Sequence, residues 1–254
     1  MKFEDLANVM NDIERITGRI EMTNILVRLF VRTPPEIIDK VVYLLQGRLA
    51  PEYKGIELGV AEKMLMRALS LASGISASRL EMLYKKYGDM GKVAQHVLSN
   101  RKAATLMSFL GGVEEALTVN EVYETLMKVA RASGPDSQSV KIKLLAGLFN
   151  RASPLEAKYI ARIVLGALRL GIADMTILDA LAIAFGKTKE VRPIVERAYN
   201  LTSDLGEIAR IVAEKGIDAL KEVKIQVGRP IRPMLAERLP TPEEILKKMG
   251  GACA

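Results

Sequence analysis

Residues 80–94 read LEMLYKKYGDMGKVA, and residues 195–209 read VERAYNLTSDLGEIA. The two segments align without a gap and share Glu, Tyr, Asp, Gly and Ala at matched positions. Around each shared glycine, apolar residues recur at positions i, i+3, i+4 and i+7, which is the stripe of an amphipathic helix. The sequence therefore predicts two copies of a turn that leads into a helix.

A second self-match lies upstream of the first at nearly the same offset. Residues 29–36 read LFVRTPPE, and residues 148–156 read LFNRASPLE. Repeats at a fixed offset indicate a duplicated structural unit, which here spans most of each half of the chain. Helical periodicity is widespread, whereas the alternation typical of strands is scarce. We therefore predict an all-α fold of about ten to twelve helices in two halves related by a pseudo-two-fold axis.

The chain divides near residue 226. We expect one helical domain over residues 1–226, with the repeats at about 13–98 and 129–213 and a connector over 99–118. After Val223 the segment KIQVGRPIRPMLAERLPTPEE contains four prolines and residues that favour strands, followed by one short helical pattern. Residues 227–254 are therefore predicted to begin a second domain.

Composition limits the class of protein. The 254 residues are 49% hydrophobic, yet no apolar run approaches the roughly 20 residues that a membrane span needs. The acidic amino terminus predicts an amphipathic helix and not a signal peptide, so we expect a soluble, cytoplasmic protein, with a monomer as the default. The single cysteine, Cys253, excludes an intramolecular disulfide and gives no metal site. High Ile, Leu, Glu and Lys with low Cys are typical of thermophilic proteins.

The charge distribution suggests a polyanionic partner. The net charge is +7 with a pI near 9.4, and residues 131–171 hold seven Lys or Arg against two acids. Tryptophan is absent and aromatic residues make up only 5% of the chain, which argues against a platform that stacks single-stranded bases. A nucleic-acid partner is therefore predicted to be double-stranded.

Four turns place a glycine or a small hydroxyl residue directly before a predicted helix. Free backbone N–H groups and the helix dipole bind phosphate at such places, and nearby basic side chains could add contacts. The alternative is an ordinary capped helix end with solvated lysines. One of these helices is predicted to bury a stripe of Val140, Leu144, Leu145 and Leu148. The four turns are 88–92, 137–139, 166–173 and 203–206.

Five segments resemble the N-terminal DNA-binding domain of archaeal and eukaryotic replicative ATP-dependent DNA ligases. The resemblance covers essentially the whole chain and implies an all-helical, pseudo-two-fold domain followed by the start of a nucleotidyltransferase, or adenylation, domain. The segments are PEYKGIELGVAEKML (51–65), YGDMGKVA (87–94), SVKIKLLAGLF (139–149), ARIVLGALRLGIADMTILDALA (161–182) and GRPIRPMLAERL (228–239).

The resemblance implies binding of nicked duplex DNA through the minor groove and the phosphate backbone, without sequence preference, in replication, repair and recombination. It places Gly166, Arg169, Gly171 and Ala173 in a minor-groove loop, Gly47 and Arg48 in the matching loop of the first half, and Ser137, Ser139 and Lys141 on phosphates. One position departs from some relatives, which have a lysine where this chain has Ala167. The remaining DNA-binding candidates are Arg19, Gly88, Gly91, Lys92, Gln138 and Lys143.

The resemblance also defines what this sequence lacks. Ligases of this type use the lysine of a K-x-D-G motif to attack ATP, and no such motif occurs here. We therefore expect no catalytic residue in this chain, no adenylation by it alone, and no cofactor bound to it. ATP and Mg²⁺ are expected for the full-length enzyme, whose catalytic core would be a partner of this domain.

The connector suggests a second partner. Ala103-x-x-Leu106-x-x-Phe109-Leu110 resembles a degenerate sliding-clamp-binding box, although it lacks the usual glutamine and second aromatic residue. Leu106, Phe109 and Leu110 are the clamp-binding candidates, and an apolar loop that packs on its own domain is the alternative. The alternative for the whole chain is a helical-repeat scaffold that binds proteins and has an incidental basic face. Salt dependence separates the two, because phosphate binding weakens steeply with salt.

Overall fold

The computed structural model describes residues 1–100, 116–233 and 239–250. Those residues contain thirteen α-helices and no strand, only one isolated bridge between Lys2 and Thr118. The all-α prediction is confirmed, and none of the described helices is long and apolar enough to cross a membrane. The helices are α1 Phe3–Glu14, α2 Arg19–Arg32, α3 Ile38–Leu45, α4 Glu62–Ser73, α5 Ala77–Tyr87, α6 Met90–Ser99, α7 Val119–Arg131, α8 Ser137–Arg151, α9 Pro154–Val164, α10 Asp174–Gly186, α11 Arg192–Thr202, α12 Leu205–Lys215 and α13 Pro242–Met249.

The duplication is visible as two sets of six helices, α1–α6 and α7–α12, which we call the first and second half. Their main contacts join one half to the other in matched pairs. Helix α6 packs on α9 as α12 packs on α3, and α2 packs on α10 as α8 packs on α4. The aromatic side chains of Phe3, Phe30, Phe149 and Tyr159 are fully buried in the core. The halves therefore interlock, and neither forms a separate core.

In two of these helix pairs, a glycine allows the helices to cross at a short distance. A Cβ atom at Gly91 in α6 would lie 2.8 Å from the Lys158 carbonyl oxygen of α9. A Cβ atom at the matching Gly206 in α12 would overlap the Tyr43 ring of α3. The glycines shared by the two repeats are thus the positions where a helix approaches the opposite half too closely for any side chain.

An aspartate caps each of these two helices and ties it to the same neighbour. Asp89 Oδ1 accepts from the Gly91 N–H at 2.7 Å, and its carboxylate also accepts from Arg162. Asp204 Oδ1 accepts from the Glu207 N–H at 3.0 Å and from the Tyr43 hydroxyl at 2.7 Å. The repeats keep the cap and the glycine while the cross-half partner changes from arginine to tyrosine.

An ionic cluster links α1 to the crossing of α6 and α9. Glu14 Oε2 lies 2.6 Å from Lys158 Nζ and accepts from the Tyr159 hydroxyl at 2.9 Å, and Glu14 Oε1 lies 3.0 Å from Arg162 Nη1. Burial raises the pKa of Glu14, but the hydrogen bonds from these three side chains outweigh it and hold that pKa at about 2. Arg162 also pairs with Asp89, so one arginine joins three helices.

We predict that Gly91→Ala lowers the free energy of unfolding by about 1–3 kcal/mol, because the added methyl must push α6 away from α9. Gly147→Ala is the matched control, since Gly147 lies inside α8 with open space around its Cα. That change should leave stability unchanged or raise it by up to about 1 kcal/mol. Urea unfolding followed by circular dichroism measures both, and equal stability of the two variants would contradict the packing argument.

We also predict that the ionic cluster makes stability depend on acid. Because the pKa of Glu14 falls from its ordinary 4.5 to about 2 in the folded chain, its contribution is complete above about pH 4.5 and is lost as the pH falls toward 2. Glu14→Gln should flatten the stability curve in this window. Asp12→Asn, on the exposed side of the same helix, should keep the wild-type slope in unfolding curves at pH 2–6.

Candidate nucleic-acid interface

The loops that follow α3 and α9 have the same construction. Gly47 and Gly166 both take positive φ values, +69° and +62°, at the end of their helices. The next N–H returns to the last helical turn in each case, from Arg48 to the Tyr43 carbonyl at 3.0 Å and from Ala167 to the Arg162 carbonyl at 2.8 Å. The predicted correspondence of Gly47 with Gly166 therefore agrees with the backbone geometry.

A second pair of loops precedes α4 and α10. Residues 58–61 read LGVA and residues 170–173 read LGIA, and the glycines take φ values of +57° and +69°. Ala61 and Ala173 are the extended N-cap residues of the two helices. Sequence reasoning selected Gly171 and Ala173 but missed Gly59 and Ala61, although the repeated LG-x-A pattern could have identified them.

The loops from the two halves lie side by side. A Cβ atom at Gly47 would lie 3.1 Å from Leu168 Cβ, so the loop after α3 contacts the loop after α9. A shallow cleft of about 360 Å³ between them is lined by residues of both halves, including Arg48, Gly59 and Gly166. We call the surface formed by residues 47–48, 58–61 and 166–173 the loop face.

The helix ends differ in whether their N–H groups are available. No side chain caps α4, α8 or α10, which leaves first-turn donors open to an anion. In contrast, Asp89 Oδ1 accepts from the N–H groups of Gly91 and Lys92, and Asp204 Oδ1 accepts from that of Glu207. The prediction of free N–H groups at turns 88–92 and 203–206 is therefore wrong, because an aspartate at each N-cap already uses them.

Lys141 also departs from its predicted role. Its side chain is buried, and Nζ donates to the carbonyl oxygens of Leu58 at 2.7 Å and Gly59 at 3.4 Å. A phosphate contact by Lys141 is contradicted here, because the ammonium group instead supports the loop before α4. Of the predicted stripe on α8, Leu145 and Leu148 are buried and Leu144 is half-buried, whereas Val140 is exposed and the neighbouring Lys141 is buried in its place.

The remaining candidates differ in what their polar groups contact. Arg48 pairs with Glu52 at 3.1 Å, and Arg19 pairs with Asp179 at 2.7 Å. The Ser137 N–H donates to the Gly134 carbonyl at 3.1 Å, and Gly91 is a packing glycine. Within the described residues the exposed side chains of Lys92, Lys143 and Arg169 have no hydrogen bond or ion pair. The exposed candidates without a cationic group are Gly88, Gln138, Ser139, Gly166, Gly171 and Ala173.

The clamp-binding candidates Leu106, Phe109 and Leu110 lie outside the described residues. Their role stays a prediction.

Comparison with known proteins adds independent evidence. The family model described as DNA ligase N terminus matches residues 2–182. The chain is 57% identical to a DNA ligase of Staphylothermus marinus, over 99% of the chain and 43% of that protein. It is 52% identical to DNA ligases of Saccharolobus solfataricus and Aeropyrum pernix, again over 99% of the chain and over 42% and 43% of those proteins. The chain thus spans less than half the length of these curated relatives.

The family model covers most of the helical body, including both halves of the loop face up to α10. The archaeal relatives extend the match to nearly the whole chain. These matches confirm the resemblance drawn from the sequence. The chain belongs to the family of DNA ligase N-terminal domains.

Proposed function

We propose that this chain binds nicked duplex DNA through the loop face, without sequence preference, and orients the nick for a ligase. The observation that carries the proposal is the pairing of equivalent glycine loops from the two halves on one surface. The two backbones of a DNA duplex are related by approximate two-fold axes. A surface with the same approximate symmetry can therefore contact both strands in similar ways.

The chemistry of the loop face suits the minor groove. Gly59, Gly166 and Gly171 have no Cβ atom, so the main chain can approach sugars and base edges closely. The uncapped N-termini of α4 and α10 supply donors for phosphate oxygens. Arg169 is exposed and free of intramolecular partners among the described residues, as an arginine that enters a minor groove must be. None of these contacts reads a unique base pattern, because the minor groove presents a degenerate one.

Lys143 is suited to a phosphate contact on α8, because its side chain is exposed. Lys141, two residues before it, faces the loop before α4, so Lys143 lies on a different side of the helix. The uncapped amino terminus of α8 adds donors on the same helix, near Gln138 and Ser139. Phosphate contacts of this kind position a protein on duplex DNA and carry no sequence information.

In this proposal the ligation chemistry belongs to the part of the relatives that this chain does not match. The sequence contains no K-x-D-G lysine, so ATP and Mg²⁺ would act in that catalytic region. Replication, repair and recombination are the processes in which such an activity would be used. The sliding clamp is proposed as a further partner from the sequence of residues 103–110 alone.

We predict that Arg169→Ala weakens duplex binding about tenfold or more, since a charge-assisted contact contributes about 1.5–3 kcal/mol. Lys143→Ala should also reduce the slope of log affinity against log salt by about 0.9, the value for one phosphate. Fluorescence anisotropy with nicked and intact duplexes of two unrelated sequences, each at several salt concentrations, measures these changes. The loss should be similar for both sequences.

Lys215→Ala is the matched control for charge. Helix α12 runs antiparallel to α3, because Asp204 at its start meets Tyr43 whereas Arg210 lies 3.6 Å from Asp39. Lys215 at the end of α12 is exposed and therefore lies away from the loop after α3. Its loss should leave DNA affinity unchanged. Equal affinities of wild type and Arg169→Ala would contradict the proposed surface.

A further inference from the structure

The segment after the helical body occupies a cleft in the second half. The Arg232 guanidinium lies over the Tyr199 ring, 4.6 Å from its centroid, and Nη1 lies 3.1 Å from Asp174 Oδ2. The Arg232 N–H donates to the Asn200 carbonyl at 2.9 Å, and the Ser203 hydroxyl donates to the Pro230 carbonyl at 2.7 Å. An arginine between two prolines is thus held by stacking, charge and main-chain hydrogen bonds.

The acid and the tyrosine of that cleft are an internal pair. The Tyr199 hydroxyl donates to Asp174 Oδ2 at 2.6 Å. Tyr199 lies in the last turn of α11, and Asp174 is the first residue of α10. Their carboxylate and ring together form the surface that the arginine covers.

The duplication repeats this pair in the first half. Tyr84 matches Tyr199 in the aligned segments, and Glu62 is the first residue of α4 as Asp174 is of α10. The Tyr84 hydroxyl donates to Glu62 Oε1. Gly88 stands where Ser203 does, at the left-handed end of the tyrosine helix. The first half therefore has a carboxylate and a tyrosine ring in the same local structure.

The first-half cleft is open, with a volume of about 870 Å³, within the range of pockets that bind small ligands and peptide side chains. Its floor is neutralised, because Glu14 and Asp89 pair with Arg162. Glu62 has no cationic partner among the described residues, whereas Asp174 has Arg232. Lys63, Arg162 and Arg169 also line the cleft, but among the described residues none of them pairs with Glu62 or lies over the Tyr84 ring. What the Glu62–Tyr84 pair lacks, relative to its duplicate, is an arginine.

We propose that the cleft lined by Glu62, Tyr84 and Gly88 binds an extended arginine–proline segment of a second protein. The arginine would stack on the Tyr84 ring and pair with the Glu62 carboxylate, as Arg232 does with Tyr199 and Asp174. This chain's own segment of that composition is already held in the second half.

Arginine fits this site better than lysine. Its planar group can stack on an aromatic face while its edge donates to a carboxylate, whereas an ammonium group is a compact, strongly hydrated charge. Flanking proline keeps the backbone extended, so little conformational entropy is lost on binding. The cleft shares Ala61, Ala167 and Arg169 with the loop face, so peptide binding is measured in the absence of DNA.

The test uses the 254-residue chain and a fluorescent peptide with the sequence of residues 226–233, QVGRPIRP. We expect one saturable site by anisotropy, weakened about two- to fivefold by Glu62→Gln, as for an exposed ion pair. Tyr84→Leu should weaken it by a similar factor through loss of the cation–π contact. A peptide with alanine in place of both arginines should not bind. Glu222→Gln, an exposed acid in the second half, is the matched control and should bind like wild type.

Two further results would overturn the proposal. One is the absence of saturable binding at peptide concentrations up to about 1 mM. The other is binding that Glu62→Gln and Tyr84→Leu leave unchanged but Tyr199→Leu abolishes, which would mean that the peptide only displaces the chain's own segment. In Arg232→Ala, which removes the guanidinium from Tyr199 and Asp174, the expected stoichiometry rises from one peptide per chain to two.

Discussion

Two helix crossings that admit only glycine hold the rest of this structure in place. Gly91 brings α6 against α9, and Gly206 brings α12 against α3. Each crossing joins one half of the duplicated chain to the other, so the halves cannot separate without exposing the core. The capping aspartates act at the same points, because each satisfies its own helix end and a side chain of the opposite half. Packing and electrostatics therefore act on the same interface.

These crossings determine where the loop face lies. Helices α3 and α9 are the partners in the two crossings, and Gly47 and Gly166 end those helices. Fixing α3 and α9 against the opposite halves places both loops side by side, with the loops before α4 and α10 next to them. Pre-organisation of this kind reduces the ordering cost of binding. The same duplication leaves two similar clefts, of which the second half's holds Arg232.

Much of the fold could be predicted from the sequence because the duplication is local and nearly gapless. The two matched segments predict two halves, and the helical periodicity predicts an all-α chain. The pairing of Gly47 with Gly166 is implied by the family resemblance, and the backbone geometry agrees with it. The interlocking of the halves does not follow from the repeat, since a repeat defines equivalent elements and does not specify which half each element contacts.

The wrong site predictions have the same cause, namely that the sequence does not specify which part of the opposite half a residue contacts. In the sequence Lys141 looks like a solvated lysine. It lies on the same buried face of α8 as Leu145 and Leu148, and its ammonium group donates to carbonyl oxygens of the opposite half. Gly91 looks like a phosphate-binding glycine, yet its open side faces α9. The caps were predictable, because an aspartate directly before a helix ordinarily uses the first N–H groups itself.

In the proposed function, equivalent loops of both halves contact duplex DNA together. The most direct measurement is an NMR titration of the chain, labelled with ¹⁵N at glycine, with a short nicked duplex. We predict that the amide signals of Gly47, Gly59, Gly166 and Gly171 shift or broaden together, whereas those of Gly147 and Gly216 do not. Shifts confined to the glycines of one half, or to those outside the loop face, would contradict it.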